Sequence, residues 1–355
     1  HLLDQHDADR TRDLRFGTID TWIIWQLTEG RAHLTDRTNA AITGLVRTGQ
    51  AVWDPDVLDR LSIPPSMLPG IVDSSGELAE ATALDGAPPV CGVAGDQQAS
   101  LIGQGAVRPG LAKITFGTGA MLDVCLGDQR PSFDVRGANG TFPSVAWQVD
   151  DQPVWGIEAI MLAAGTNVEW LRDDLGIIET AAQSHDVAAA CDDTDGVMYV
   201  PALLGLGTPQ WDYGARGTLL GATRGTGRPQ LVRSVLEGVA QRGADLVDAA
   251  EADAGIDIPT LRVDGGMSEN PTFCQAVANA AQRPVEVSPV TEATTLGAAY
   301  LAGLATGVWA DLDETAELWA PSTVIEPGPA TDRDRWRDAV ERASQWHGDL
   351  SGIEF

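Results

Sequence analysis

The sequence predicts an α/β fold shared between two domains, on three grounds. The C-terminal half alternates strand and helix: Leu261 to Asp264, a glycine pair, Val285 to Val287, then a helix from Thr295 to Gly303. Before these, apolar residues from Gln230 to Ala252 recur at helical intervals and stop at Gly255, as expected of a long amphipathic helix. Finally, a chain of 355 residues, 43% of them hydrophobic, is long enough to bury two ordinary cores.

The other elements follow in chain order. Ile19 to Leu27 is apolar with two tryptophans and predicts a buried helix, whereas Ile71 to Leu78 reads as a loop leading into a strand at Pro88 to Ala94. Ala112 to Thr115 and Met121 to Leu126 read as strands joined by the turn Gly117-Thr118-Gly119, and the domain boundary is placed just before them. A helix is expected from about Ile157 to Asp173. The glycine-rich stretch Pro201 to Gly225 reads as the wall of a cleft, with Trp211 inside it.

Three segments carry the chemistry. Gly95-Asp96-Gln97 puts a carboxylate on a turn between an apolar strand and a helix start, where an acid can project into a cleft. Phe116-Gly117-Thr118-Gly119 and Val263-Asp264-Gly265-Gly266-Met267-Ser268-Glu269-Asn270 are glycine-rich strand ends, which let backbone N–H groups approach phosphate oxygens. An acid followed by two such loops is what phosphoryl transfer from a nucleotide needs. Each signal is weak by itself, because an Asp beside a Gly is often only a helix cap and a Gly-x-Gly only a tight hairpin.

Their order, together with Phe16-Gly17-Thr18-Ile19-Asp20-Thr21-Trp22, Thr35-Asp36-Arg37-Thr38-Asn39-Ala40, Gly205-Leu206-Gly207-Thr208-Pro209 and Thr294-Thr295-Leu296-Gly297-Ala298-Ala299, resembles the FGGY carbohydrate kinases. The resemblance implies the actin-like, ribonuclease H-like ATPase fold, with residues 1–104 a remnant of the N-terminal, polyol-side domain and 105–355 the nucleotide-side domain. It implies Asp96 as general base and Gln97 as a polyol ligand, with Met121 where a phenylalanine usually packs against the polyol. Thr118 and Gly119 then form a phosphate loop, while Gly165, Gly266, Asn270 and Glu169, the last in place of a usual glutamine, contact the nucleotide. ATP, Mg²⁺ and glycerol are the implied cofactors and substrate, and the glutamine pair Gln97-Gln98 favours glycerol over a sugar. The family's first phosphate loop is not in this text, so the chain as given is expected to be nearly inactive. Another polyol or sugar kinase, or a non-catalytic nucleotide-binding fragment, are the alternatives. The resemblance also implies a dimer or tetramer.

Composition narrows the setting. The chain holds 51 acidic and 23 basic residues, for a net charge of −28. Lys113 is its only lysine. Such a surface repels nucleic acid and anionic membrane, and the longest apolar runs are too short for a span. The four cysteines lack paired spacing and the five histidines lack metal-ligand spacing, which reads as reduced thiols, a cytoplasmic setting, no metal held by the chain itself, and surface histidines. Dispersed acids with lysine nearly eliminated resemble the proteins of salt-accumulating halophiles; a GC-rich genome, which also exchanges lysine for arginine but does not demand the excess of Asp and Glu, is the alternative. Because the Debye length grows from about 3 Å at 1 M salt to about 30 Å at 0.01 M, self-repulsion should grow on dilution. The melting midpoint is expected to be higher in molar KCl than in dilute buffer; an equal or lower midpoint in KCl would leave the acidity without a salt-adaptive role.

Overall fold

In the computed structural model, which describes residues 1–47 and 49–353, the centre of the molecule is a seven-stranded mixed sheet. Its strands lie in the order Thr323–Ile325, Val285–Val287, Leu261–Asp264, Ala112–Phe116, Ala120–Gly127, Gln152–Met161 and Phe142–Val149. Ala112–Phe116 and the three strands that follow it in chain order are all antiparallel neighbours, with Gln152–Met161 inserted between Ala120–Gly127 and the edge strand Phe142–Val149. Leu261–Asp264 joins Ala112–Phe116 in parallel, with Asp264 opposite Thr115, and Val285–Val287 continues the parallel side.

Side chains alternate across a strand, so each strand of this sheet has two characters. Ile114, Phe116, Leu122, Val124, Ile157, Ala159, Met161, Leu261 and Val263 face one way and form the main core. Onto them pack the helices Arg228–Ala254 and Pro271–Ala281, with Val235, Leu236, Val239, Phe273 and Val277 buried. Burying a leucine or phenylalanine of this kind contributes about 1.5–3 kcal/mol. The opposite residues, Lys113, Thr115, Met121, Asp123, Glu158, Arg262 and Asp264, stand in register on the other face.

That second face is covered by the helices Asp96–Gly103 and Ala293–Ala305, through a smaller core of Leu101, Ile102, Cys125, Ala146, Trp147 and Leu301. The two helices cross with their backbones in contact. A Cβ on Gly297 would collide with the Ala99 carbonyl and one on Gly103 with the Ala293 carbonyl, neither of which can move aside. The preceding residues supply the short parallel pair Leu34–Asp36 and Gly70–Val72 and the antiparallel pair Ser75–Glu80 and Pro89–Gly92.

The long helix, the strands flanking Gly117-Thr118-Gly119 and the strand into the Gly265-Gly266 pair are where the periodicity places them. Three expectations are corrected. Residues from Gln152 to Met161 form a strand, and only Thr166–Glu169, followed by a wider turn through Asp174, is helical. Apolar residues on both faces of a buried strand mimic helical spacing over so short a run. Ile71 to Leu78 contributes to two strands, Gly70–Val72 and Ser75–Glu80, because their backbone finds ladder partners far away in sequence. Ile19–Leu27 is helical but not buried: Thr21 and Ile24 face inward while Ile19, Trp22 and Ile23 are exposed.

The helix crossing gives a direct test. Gly297→Ala forces two backbones apart and is expected to cost about 1–3 kcal/mol or more, read as a lowered denaturation midpoint; an unchanged midpoint would show that the contact is looser than described.

Candidate active site

The acidic turn hangs from a buried carboxylate. Asp36, wholly buried, caps the helix Arg37–Ala41 and accepts hydrogen bonds from Ser74 Oγ at 2.7 Å and Thr38 Oγ1 at 2.8 Å. Burial pushes the Asp36 carboxyl above the ordinary range, and the hydrogen bonds it accepts pull it back. Thr38 Oγ1 in turn accepts from the Gly95 N–H at 2.7 Å, so Asp36 fixes the residue directly before Asp96. Asp96 opens the helix Asp96–Gly103 with its side chain exposed and its Oδ1 accepting from the Gln97 N–H at 2.9 Å. Thr294 Oγ1 donates to the Asp96 carbonyl at 3.3 Å from the other crossing helix. The acid therefore projects freely from a rigidly held turn.

Beneath it lies a charged layer that motif reading passed over. Lys113 is fully buried on the polar face of the sheet, and its Nζ lies 2.8 Å from Asp123 Oδ2, 2.5 Å from Gln97 Oε1 and 3.0 Å from Thr115 Oγ1. Burial raises the Asp123 carboxyl against the pull of Lys113. Glu158, directly across the ladder from Asp123, is pushed up to about 8 by burial and by the charge of Asp123. Asp264 accepts from Ser100 Oγ at 3.3 Å, and its other carboxylate oxygen is buried without a hydrogen-bond partner among the described residues. The sequence signal for this layer was the alternation itself, with Lys113 and Asp123 at every second position of otherwise apolar strands.

On the far side of the strand ends opens a cleft of about 790 Å³. Of the residues expected to contact a nucleotide, Thr118, Gly165, Glu169, Gly266 and Asn270 line it, together with Gly117. The turn at Gly117 and Thr118 is clasped by the next loop: Gly165 N donates to Gly117 O and Ala164 N to Thr118 O, both at 2.8 Å. Gly265 adopts a φ of +83° and has the Phe116 backbone where a Cβ would sit. Gly266 has open space there and faces the cleft. Asn270 serves as a cap and a wall at once: its Oδ1 accepts from Phe273 N at 3.1 Å while its Nδ2 donates to Ser184 Oγ at 2.9 Å.

Some residues fall elsewhere. Gly119 is not in the lining; it packs against the Met161 carbonyl. Met121 sits on the polar face, opposite Thr115 and Ile160, half-buried and outside this cleft. The stretch Pro201 to Gly225 forms no wall of it, and Trp211 instead donates to Gly140 O at 2.7 Å and packs on Phe142. His185, expected on the surface, lines the cleft and bonds Thr272 Oγ1 at 2.8 Å, and Arg172, Gln183, Ser184 and Leu236 are further lining residues that no motif marked.

An exposed acid beside a cleft ringed by glycine-rich strand ends, on a mixed sheet wrapped by helices, defines a nucleotide-dependent phosphotransferase of the actin-like ATPase fold. The chain belongs to the FGGY family of carbohydrate kinases: residues 2–103 match the family's N-terminal domain and 112–306 its C-terminal domain. It is 44% identical over 340 residues to a glycerol kinase of Symbiobacterium thermophilum, covering 94% of this chain and 68% of that protein. A glycerol kinase of Dechloromonas aromatica is 43% identical over 356 residues, covering 97% and 70%. Among solved structures, Plasmodium falciparum glycerol kinase with ADP superposes with a TM-score of 0.87 at 30% identity, covering 100% of this chain and 71% of that one. A xylulose kinase of Lactobacillus acidophilus shares the fold at 23% identity and a TM-score of 0.81, covering 99% and 71%.

Gly266 separates cleft from scaffold. Because a Cβ there meets no protein atom within 4 Å, Gly266→Val should leave the melting midpoint nearly unchanged while weakening ATP binding by calorimetry at least tenfold; undiminished affinity would take the nucleotide away from this wall.

Proposed function

We propose that this chain transfers the γ-phosphoryl group of ATP to glycerol, giving sn-glycerol 3-phosphate, with Asp96 as general base. One observation carries the reading. The strand Ala112–Phe116 touches the acidic turn through Lys113 and Gln97, then runs on within a few residues into Gly117 and Thr118 at the mouth of the cleft. The helix start that carries the acid is thus tied to the strand that carries the phosphate loop, which suits an in-line transfer.

In this mechanism the attacking hydroxyl gives its proton to Asp96 as the phosphorus–oxygen bond forms, and ADP leaves with the bond that breaks. Gln97 holds the polyol, and backbone N–H groups at Thr118 and Gly119 receive the phosphate oxygens. Gly165, Glu169, Gly266 and Asn270 hold the nucleoside side. Mg²⁺ would enter with the nucleotide and would neutralise charge on the phosphoryl oxygens, with the Asp96 carboxylate left to take the proton. Residues 1–104 then serve the polyol and 105–355 the nucleotide. The names of the relatives support glycerol, while the fold shared with xylulose kinases keeps a sugar acceptor as the second reading. The reading extends to a dimer or tetramer working in a salt-rich cytoplasm. The net charge of −28 supports the salt, and among the described residues no helix is long and apolar enough to cross a membrane.

Asp96→Asn keeps shape and removes the base. Glycerol phosphorylation, assayed on the chain and on the chain joined to the amino-terminal segment of a relative, is expected to fall by a factor of about 10²–10⁴ with ADP affinity retained. Near-normal turnover would remove Asp96 from the mechanism, and a preference for xylulose in the same assay would replace glycerol.

A further inference from the structure

The chain's single lysine is spent where a cation is most costly. Lys113 is wholly buried, and a buried cation survives only when acceptors surround it. Gln97 and Thr115 accept from it at 2.5 and 3.0 Å, and the Asp123 carboxylate lies 2.8 Å away as its ion-pair partner. Asp123 neutralises the charge and Thr115 completes the shell. The bond to Gln97 does something further, because Gln97 is next to Asp96 and borders the acid turn.

An ammonium can donate hydrogen bonds and cannot accept them. The Gln97 carboxamide must therefore turn its oxygen to Lys113, and its Nε2 is left as a donor on the other branch. A carboxamide free to flip could offer a hydroxyl either end; this one is held with its N–H outward. Resting on the kinase reading above, we propose that Lys113 is the positioning residue for polyol recognition: it locks Gln97 as a donor to a substrate hydroxyl oxygen. The hydroxyl so bound must direct its own proton elsewhere, and the neighbouring Asp96 carboxylate is the acceptor at hand. Lys113 thus acts on the orientation of the acceptor substrate without touching it, from the same strand that carries the phosphate loop.

Two variants test this from opposite sides. Gln97→Glu keeps an oxygen for Lys113 and removes the outward donor, so it is expected to raise the glycerol KM about tenfold or more, with the ATP KM within about twofold. Lys113→Met frees the carboxamide and is expected to act in the same direction on the same constant. If Lys113 acts through Gln97, the double variant is no worse than the poorer single variant, whereas a merely structural lysine gives effects that add. Additive losses, or an ATP KM raised as much as the glycerol KM, would overturn the proposal.

A second readout is independent of turnover and of how well Lys113→Met folds. Lysine labelled with ¹⁵N at Nζ gives a single side-chain signal in this chain. That signal should be protected from solvent, should shift in Gln97→Ala, and should shift when glycerol is added to the wild-type chain. A signal that ignores both Gln97→Ala and glycerol overturns the role of Lys113. A signal that responds to Gln97→Ala and to xylulose but not to glycerol keeps the positioning role and overturns only the choice of substrate.

Discussion

Two helix backbones touch at Gly103 and Gly297, and the geometry of the candidate site depends on that contact. The helix Asp96–Gly103 begins with the acid, and the helix Ala293–Ala305 belongs to the segment that follows the nucleotide loops. With no side chain between them, their separation is set by carbonyl and Cα atoms, which do not change rotamer. Further ties run the same way: Ser75 Oγ donates to Leu301 O at 2.7 Å, Arg262 donates to the Gln104 carbonyl, and Ser100 reaches Asp264. Phosphoryl transfer rests on fixed distances between acceptor, phosphate and base, so a crossing that excludes all slack is a suitable foundation.

The sheet between acid and cleft solves a second problem by alternation. One face of each central strand is apolar and closes the main core; the other carries Lys113, Asp123, Glu158 and Asp264 in register. Charges so enclosed destabilise a fold unless they compensate one another. Here Lys113 faces several carboxylates, and burial raises Glu158 to about 8, which lets its carboxyl be neutral at moderate pH and relieves part of the repulsion. The fully buried cation of this layer, Lys113, lies next to the acid, which marks the layer as belonging to the site.

Much of this was legible from residues alone, and the limits have physical causes. The turn at Asp96, the strand ends at Gly117 and Gly266, and the long helix closed by Gly255 are local features, written in local text. The strand Gln152–Met161 was mistaken for a helix because its burial on both faces is decided by partners far away in the chain. The pleat sets Met121 on the polar face with Lys113, the side on which a polyol contact is expected, whereas packing presses Gly119 against Met161 rather than into the cleft. His185 and Ser184 reach the cleft from a helix with no motif at all. Lys113 was conspicuous as the sole lysine, but only the register of three strands and a helix start shows what it touches.

With that lysine enclosed, the exterior carries no primary-amine side chain. Every other basic side chain among the 23 is a guanidinium, which stays charged at any pH a folded protein meets. Acylating reagents, aldehydes that couple through amines, and enzymes that acetylate or ubiquitinate lysine therefore find no side chain to attack on the folded molecule. Its guanidinium charge is fixed, and only protonation of carboxylates and of the five histidines can alter the balance. The surface of these 355 residues can be tuned by salt or acid, and it offers no lysine side chain for modification while they stay folded.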